Sequence, residues 1–195
     1  VDIMSNFKEL RTQDISHGTI ANTFTNEAVI DLTSPATQVV TSFTDTSPMR
    51  ASFDTTIEQA SKQLTTQRSD FILVTDEQQK LIGIVASADL QSSKIMILAQ
   101  RLGLPRSEIS LRYLMTPLSN LMGVSMKSLS YSCIGDALQT MEHHGAMFLL
   151  VTAANNEISG LISARDIARK LQIPVHISPI AHTFSEVLES IEHPH

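Results

Sequence analysis

Two aspartates invite attention because of what precedes them. Asp89 ends the stretch Gly83-Ile84-Val85-Ala86-Ser87-Ala88-Asp89, and Asp166 ends Gly160-Leu161-Ile162-Ser163-Ala164-Arg165-Asp166. Each lies at the expected start of a helix, where a carboxylate has two uses. It can complement the positive end of the helix dipole and join a capping arrangement. It can also accept two hydrogen bonds from a vicinal diol, beside backbone amides that attract an anion. Ser163 brings a hydroxyl three residues before Asp166, and Arg165, Arg169 and Lys170 bring positive charge. The first stretch has Ala86 in the hydroxyl position, Ala88 in that of the arginine, and Ser87 one residue out of step. Ser163-x-x-Asp166 is also a helix-capping pattern, and the residues by themselves favour capping over a ligand site.

The elements that position these aspartates occur twice. Residues 71–90 and 148–167 align without a gap at an offset of 77, and over Ile57–Leu90 against Ile134–Ile167 identities fall at Ile57, Ala60, Phe71, Leu73, Val74, Thr75, Gly83 and Asp89. That period is too long for a solenoid, whose unit is roughly 20–50 residues, and indicates a duplicated small domain. In the first copy Met49–Phe53 reads as a short strand, and Thr55 with Glu58 as a capping box opening a helix lined by Ile57, Ala60 and Leu64. Ser69–Thr75 has the continuous apolar character of a strand buried on both faces. Asp76–Gln79 forms the turn, Leu81–Val85 the next strand, and a helix runs from Asp89 through Arg101 to Gly103 and Pro105.

The spacing predicts a linking helix over Ser107–Met115, closed by Met115-Thr116-Pro117. The second copy follows with Met126–Ser130 as a strand placing Lys127 opposite Arg50, a helix capped by Ser132, strands Ala146–Val151 and Ile158–Ile162, and a helix over Arg165–Leu171. Gln38–Phe43 reads as a strand or helical turn leading in. Residues 1–35 read as an N-terminal arm, with a short helix near Asn6–Arg11. Thr183 and Glu186 form a capping box for a C-terminal helix striped by Phe184, Val187, Leu188 and Ile191. The expected division is 1–35, 36–105, 106–173 and 174–195. Each β-α-β-β-α unit is too small to cover its own sheet, so an α+β fold is expected, with two units packed pseudo-symmetrically sheet to sheet.

Composition narrows the function. Among 195 residues 42% are hydrophobic and 17% charged, the net charge is −6, and Trp is absent, so the core is aliphatic. A negative chain lacks the clustered Lys and Arg that nucleic-acid phosphates require. No apolar run reaches the roughly 18–20 residues of a membrane span, and no charged-then-apolar leader opens the chain. The single Cys133 excludes an internal disulfide and suits a reducing, cytoplasmic setting.

The duplicated β-α-β-β-α order, the Gly-to-Asp ends and the Met115-Thr116-Pro117 entry together resemble the CBS domain, named from cystathionine β-synthase, over roughly residues 38–172. Such domains occur as tandem pairs, or Bateman modules. The resemblance implies a regulatory module, with no catalytic domain attached, that forms disc-like homodimers and acts on an unidentified protein target. It also implies binding of an adenosine-containing ligand (AMP, ADP, ATP or S-adenosylmethionine) in clefts between the repeats. The closing aspartate would hold the ribose hydroxyls and the hydroxyl residue before it would face phosphate, which carries over to Asp166 and Ser163, and to Asp89 alone in the first copy. The sequence departs from the family where Ile72 and Leu149 replace a frequent proline. The competing reading is an interaction module that dimerises without binding a nucleotide.

Two side chains cannot account for such a site. One charge-assisted hydrogen bond nets roughly 1.5–3 kcal/mol, whereas micromolar affinity needs about 8 kcal/mol. Apolar burial of the base must supply much of the rest, and the expected residues are Leu121, Met122, Val124 and Ala146–Leu149. Other chemistry is thin. His143-His144 suits the end of a helix better than a metal, because adjacent helical positions point apart. Cys133, near a helix start, is read as a small hydrophobe rather than a reactive thiol. With no nucleophile elbow, Walker loop or dinucleotide glycine motif, an enzyme is not expected.

Overall fold

The structure, a computed structural model, describes residues 29–177. The expected helices near Asn6–Arg11 and after Thr183 lie outside them. In chain order the elements are β1 (Thr41–Ser42), β2 (Arg50–Ser52), α1 (Ile57–Gln67), β3 (Phe71–Thr75), β4 (Leu81–Ala86) and α2 (Lys94–Leu102). There follow β5 (Thr116–Pro117), β6 (Met122–Ser125), α3 (Met126–Leu129), α4 (Ile134–His143), β7 (Phe148–Thr152), β8 (Ile158–Ser163) and α5 (Ala164–Leu171). They form two four-stranded sheets, ordered β2-β3-β4-β5 and β1-β8-β7-β6.

The sheets pack face to face, as the two-sided apolar strands require. Phe71, Leu73 and Ile84 of the first repeat meet Phe148, Leu150 and Leu161 of the second, the same three positions in each copy. Phe71 and Phe148 cross edge-on with ring centroids 6.2 Å apart. The alternate residues Ile72 and Val74 point to the helices, joining Ile57, Ala60, Leu64, Leu90, Ile95 and Leu98. In the second repeat Leu149 and Val151 do the same with Ile134, Ala137, Met141 and Ile167. Full burial of each such side chain stabilises by about 1.5–3 kcal/mol, so the seam is a core in its own right.

Each repeat completes the other's sheet. β1, which precedes the first repeat, pairs antiparallel with β8, while β5, between the repeats, pairs antiparallel with β4. The chain ahead of these strands is exchanged too. The carbonyls of Leu32 and Ser34 accept from the Gly135 and Ile134 amides at the start of α4, and the Ile109 carbonyl accepts from the Ile57 amide at the start of α1. Ala36 and Val39, in the lead-in to the first repeat, are buried in the second repeat's core. The crossing strands also explain the repeated glycines. A Cβ on Gly83 would lie 2.6 Å from the Thr116 carbonyl oxygen, and one on Gly160 would lie 2.7 Å from that of Thr41.

Several local expectations are corrected. Residues 107–115 form no linking helix but two short 3-10 turns, Arg106–Glu108 and Leu111–Tyr113, because the segment extends to reach the other repeat. Thr116-Pro117 is an edge strand, where a proline without an amide proton is tolerated. Met126–Ser130 is not a strand: Met126–Leu129 is a helical turn capped by Ser125. The strand lies earlier, since Gly123 pairs with Leu150 just as Arg50 pairs with Leu73. Four residues are therefore inserted after β6, and Lys127 has no counterpart in Arg50. The first helix is capped by Thr56 with Gln59, one residue later than Thr55 with Glu58. The N-cap of α4 is Cys133, not Ser132.

Candidate functional site

Asp166 and Ser163 come together where the sequence places them, at the start of α5. Ser163 is the N-cap, its Oγ accepting from the Asp166 amide at 3.4 Å. Both residues are buried, Asp166 to 8% relative exposure. Burying a carboxylate is costly unless it is paired, and here it is. Arg169 Nη2 lies 2.5 Å from Asp166 Oδ1, and Lys170 Nζ 3.0 Å from Oδ2. Arg169 also reaches the first repeat, with Nη1 2.9 Å from Asp70 Oδ2. The hydrogen bond to Asp166, then the charges of Asp70 and Asp166, raise the guanidinium pKa above its ordinary value.

These residues line an open cleft of about 260 Å³ between the repeats. Its polar rim includes Ser163, Asp166, Arg169, Asp70, Arg68 and Thr41, and its apolar part consists of Pro48, Met49 and Phe71. Small-molecule sites run to roughly 300–1,000 Å³, so the cleft fits part of a nucleotide, the remainder standing at its mouth. The wall Arg68–Ser69–Asp70 is shared with a second cleft of about 560 Å³, lined also by Ser61, Thr65, Ser87, Gln91 and Arg106.

The other expected site residues lie elsewhere. Arg165 is exposed and does not line the cleft, and Arg169 holds the position facing Asp166. Leu121 packs into the seam between the sheets, Met122 is 37% exposed on an edge strand, and neither lines the cleft. By strand register they are the counterparts of Pro48 and Met49, which do line it. The exchange accounts for this: the apolar contribution to the Asp166 cleft comes from the first repeat.

Asp89 is built differently from Asp166. It falls in a 3-10 turn, Asp89–Gln91, and the α-helix begins only at Lys94. The amide array that α5 presents at Asp166 is therefore displaced from Asp89, in addition to the loss of the hydroxyl at Ala86. Pro48, Met49, Arg68, Asp70 and Phe71 line the cleft although the sequence does not mark them as site residues. One signal was available for Arg68. It sits at the left-handed position ending α1, with φ +52°, where the residue 77 positions later is Gly145 with φ +58°. A side chain held in that conformation costs roughly 1–2 kcal/mol, and such positions cluster at functional sites.

Of the remaining candidates, the rings of His143 and His144 meet edge-on at 5.0 Å, and no metal-binding group of His, Cys, Asp and Glu occurs among the described residues. None of the described helices is long and apolar enough to cross a membrane.

A family model described as the CBS domain matches residues 40–93 and 130–173, together about half of the chain. No curated protein sequence matches. Among solved structures, an uncharacterized conserved protein from Pyrococcus horikoshii is similar at 18% identity and a TM-score of 0.52, over 75% of this chain and 98% of that one. A hemolysin-like CBS-domain protein of Oenococcus oeni is similar at 18% identity and a TM-score of 0.50, over 72% and 92%. A structure of CBSX2 in complex with AMP gives 17% identity and a TM-score of 0.46, over 70% and 94%. With two matched regions at the two copies, and the duplicated, face-to-face sheets, this chain belongs to the CBS domain family as a tandem pair.

Proposed function

We propose that the protein is a regulatory module that binds an adenosine-containing nucleotide (AMP, ADP or ATP) in the Asp166 cleft, acting as a cytoplasmic homodimer on a protein target rather than as an enzyme. The observation that carries the reading is the cleft itself. A buried carboxylate and a hydroxyl at the start of a helix face the apolar surface of Pro48, Met49 and Phe71 across the junction of two repeats. The carboxylate suits a ribose diol, the apolar wall suits the base, and Ser163 retains a hydroxyl proton to donate toward phosphate. The Asp89 side has neither the hydroxyl nor the helix start, so one nucleotide per chain is expected. A ligand touching both repeats changes their arrangement only as far as it prefers one arrangement over another.

A second reading has its own support. Both oxygens of Asp166 already hold cations, and Met96 and Ile97 stand exposed on α2, as an interaction module without a ligand would have them. Thermal-shift measurements with AMP, ADP, ATP and S-adenosylmethionine separate the two. A ligand that binds only the folded state raises the melting temperature, by about 2.7 kcal/mol of stabilisation at a hundredfold excess over Kd. A rise with a nucleotide supports the sensor; no shift with any of the four at millimolar concentration leaves the interaction module.

A further inference from the structure

We propose that the first repeat carries a second ligand site, a groove on its helical side that takes a small anion with two or more negative charges, borne by carboxylates or phosphate. The groove stands apart from the nucleotide reading, because its lining comes from residues 61–106 and includes nothing of the second repeat. It holds about 560 Å³, within the roughly 300–1,000 Å³ of small-molecule sites. Leu64 and Leu90 give it a buried apolar floor. Ser61, Ser87, Gln91, Arg68 and Arg106 supply the polar lining.

The duplication supplies an internal comparison. At the positions 77 residues on, Ser61 is matched by Leu138, Ser69 by Ala146, Ser87 by Ala164 and Gln91 by Ala168. Leu138 and Ala164 pack into the second repeat's core and Ala146 is buried, so the fold itself has no need of polar side chains there. The space comes from the displaced helix. α5 begins at Ala164 and lies against α4, whereas α2 begins only at Lys94, well past Ser87. α1 is met instead by the turn Arg106–Glu108, and the groove opens between them and Asp89–Gln91.

Charge sets the ligand class. Asp70 lines the groove, but its Oδ2 is held at 2.9 Å by Arg169, which does not. Arg68 and Arg106 have no ion pair among the described residues, and Ser61, Ser87 and Gln91 make no side-chain hydrogen bond there. A guanidinium takes a carboxylate or a phosphate through two parallel N–H bonds. One negative charge would satisfy one arginine and leave the other, so an anion with two is the match, with the hydroxyls and the amide of Gln91 as neutral donors.

Titration calorimetry of the full chain with citrate, inorganic phosphate and acetate, in a buffer free of other polyvalent anions, tests this. Wild type is expected to bind citrate or phosphate about tenfold or more tightly than acetate, the gain from one further charge-assisted bond. Whichever of the two binds more tightly identifies carboxylate or phosphate as the preferred group. Arg106→Gln should weaken the favoured anion about 10- to 100-fold. Arg106 lines the groove and not the Asp166 cleft, so that loss locates the anion. Ser61→Leu, which installs the residue of the second repeat, should fill the groove and abolish binding while melting close to wild type. Arg165→Gln, an exposed arginine in neither cleft, should bind within about twofold of wild type. No binding of citrate or phosphate at millimolar concentration would overturn the proposal, as would equal affinity for acetate. Affinity unchanged in Arg106→Gln or in Ser61→Leu would place the anion elsewhere and overturn it too. A loss as large in Arg165→Gln would do the same, since diffuse surface charge would then hold the anion.

Discussion

Gly160→Ala isolates the exchange of strands on which the cleft depends. The added methyl would stand 2.7 Å from the Thr41 carbonyl oxygen and 3.1 Å from Val40 Cγ1, whereas ordinary contact begins near 3.4 Å. The nearer obstacle is backbone, so no rotamer relieves it, and β1 has to retreat by about 0.7 Å. That movement pulls on the pairing of Thr41 with Leu161 and Ser42 with Gly160, and on the Phe43 amide that donates to the Ser159 carbonyl at 2.9 Å. Overpacking of this kind costs about 1–3 kcal/mol, and a weakened ladder bond adds about 1 kcal/mol. At roughly 2–4 °C per kcal/mol for a chain of this size, the melting temperature should fall by about 4–16 °C. Gly123→Ala serves as the control, because its nearest foreign atom is 4.0 Å away, and should stay within about 0.5 kcal/mol of wild type. The assay is thermal denaturation of both variants beside the parent. Thr41 lines the cleft, so the melting shift produced by AMP should shrink in Gly160→Ala as well. If Gly160→Ala melted within about 2 °C of the parent, the crossing strand would not be held as argued.

Three further outcomes are expected. Asp166→Ala should weaken AMP binding about 10- to 100-fold by calorimetry, with little effect on folding because Ser163 still caps α5; unchanged affinity would remove Asp166 from the site. Asp76→Ala should cost about 1 kcal/mol in urea denaturation, since Asp76 Oδ1 accepts from the Gln78 and Lys80 amides at 2.8 and 2.9 Å. The same change cannot be made in the second repeat, where Ala153 already occupies the place. The Cys133 amide, 2.8 Å from Asp136 Oδ2, holds that carboxyl below its ordinary pKa of 3.8. A lowered folded-state pKa means that the contribution is complete above the ordinary value and is lost as pH falls through the lowered one. The stability gap between wild type and Asp136→Ala should therefore be constant near neutrality and close below about pH 4, and a gap that widened in acid would reverse the assignment.

Much of the fold was legible because it follows from periodicity within each repeat. Phe71, Leu73 and Val74 recur 77 residues on, and an uninterrupted apolar strand admits only burial on both faces, which is the environment found. The elements that differ from the sequence reading do so for two reasons, contacts with a distant segment and a break in the repeat's constant offset. Residues 107–115 form two short 3-10 turns in place of a helix, because the Ile109 carbonyl accepts from the Ile57 amide and the Leu111 amide donates to the Thr55 carbonyl at the start of α1. Met126–Ser130 was aligned at a constant offset, and only the pairing of Gly123 with Leu150 reveals the four inserted residues.

Sequence alone determined the duplication, the face-to-face sheets and the asymmetry between Ser163 and Ala86, since these depend on which side chains are present and on local helix and strand periodicity. It also placed Asp166 and Ser163 together, three residues apart at one helix start. Tertiary structure decided which surface faces them. Because β1 and β5 cross over, the wall opposite Asp166 comes from Pro48, Met49, Arg68, Asp70 and Phe71 of the first repeat, and not from Leu121 and Met122. The partner of Arg169 at Asp70, 99 residues away in the chain, belongs to the same class. Contacts of that separation are fixed by how two sheets meet, and spacing along one strand or helix carries no trace of them.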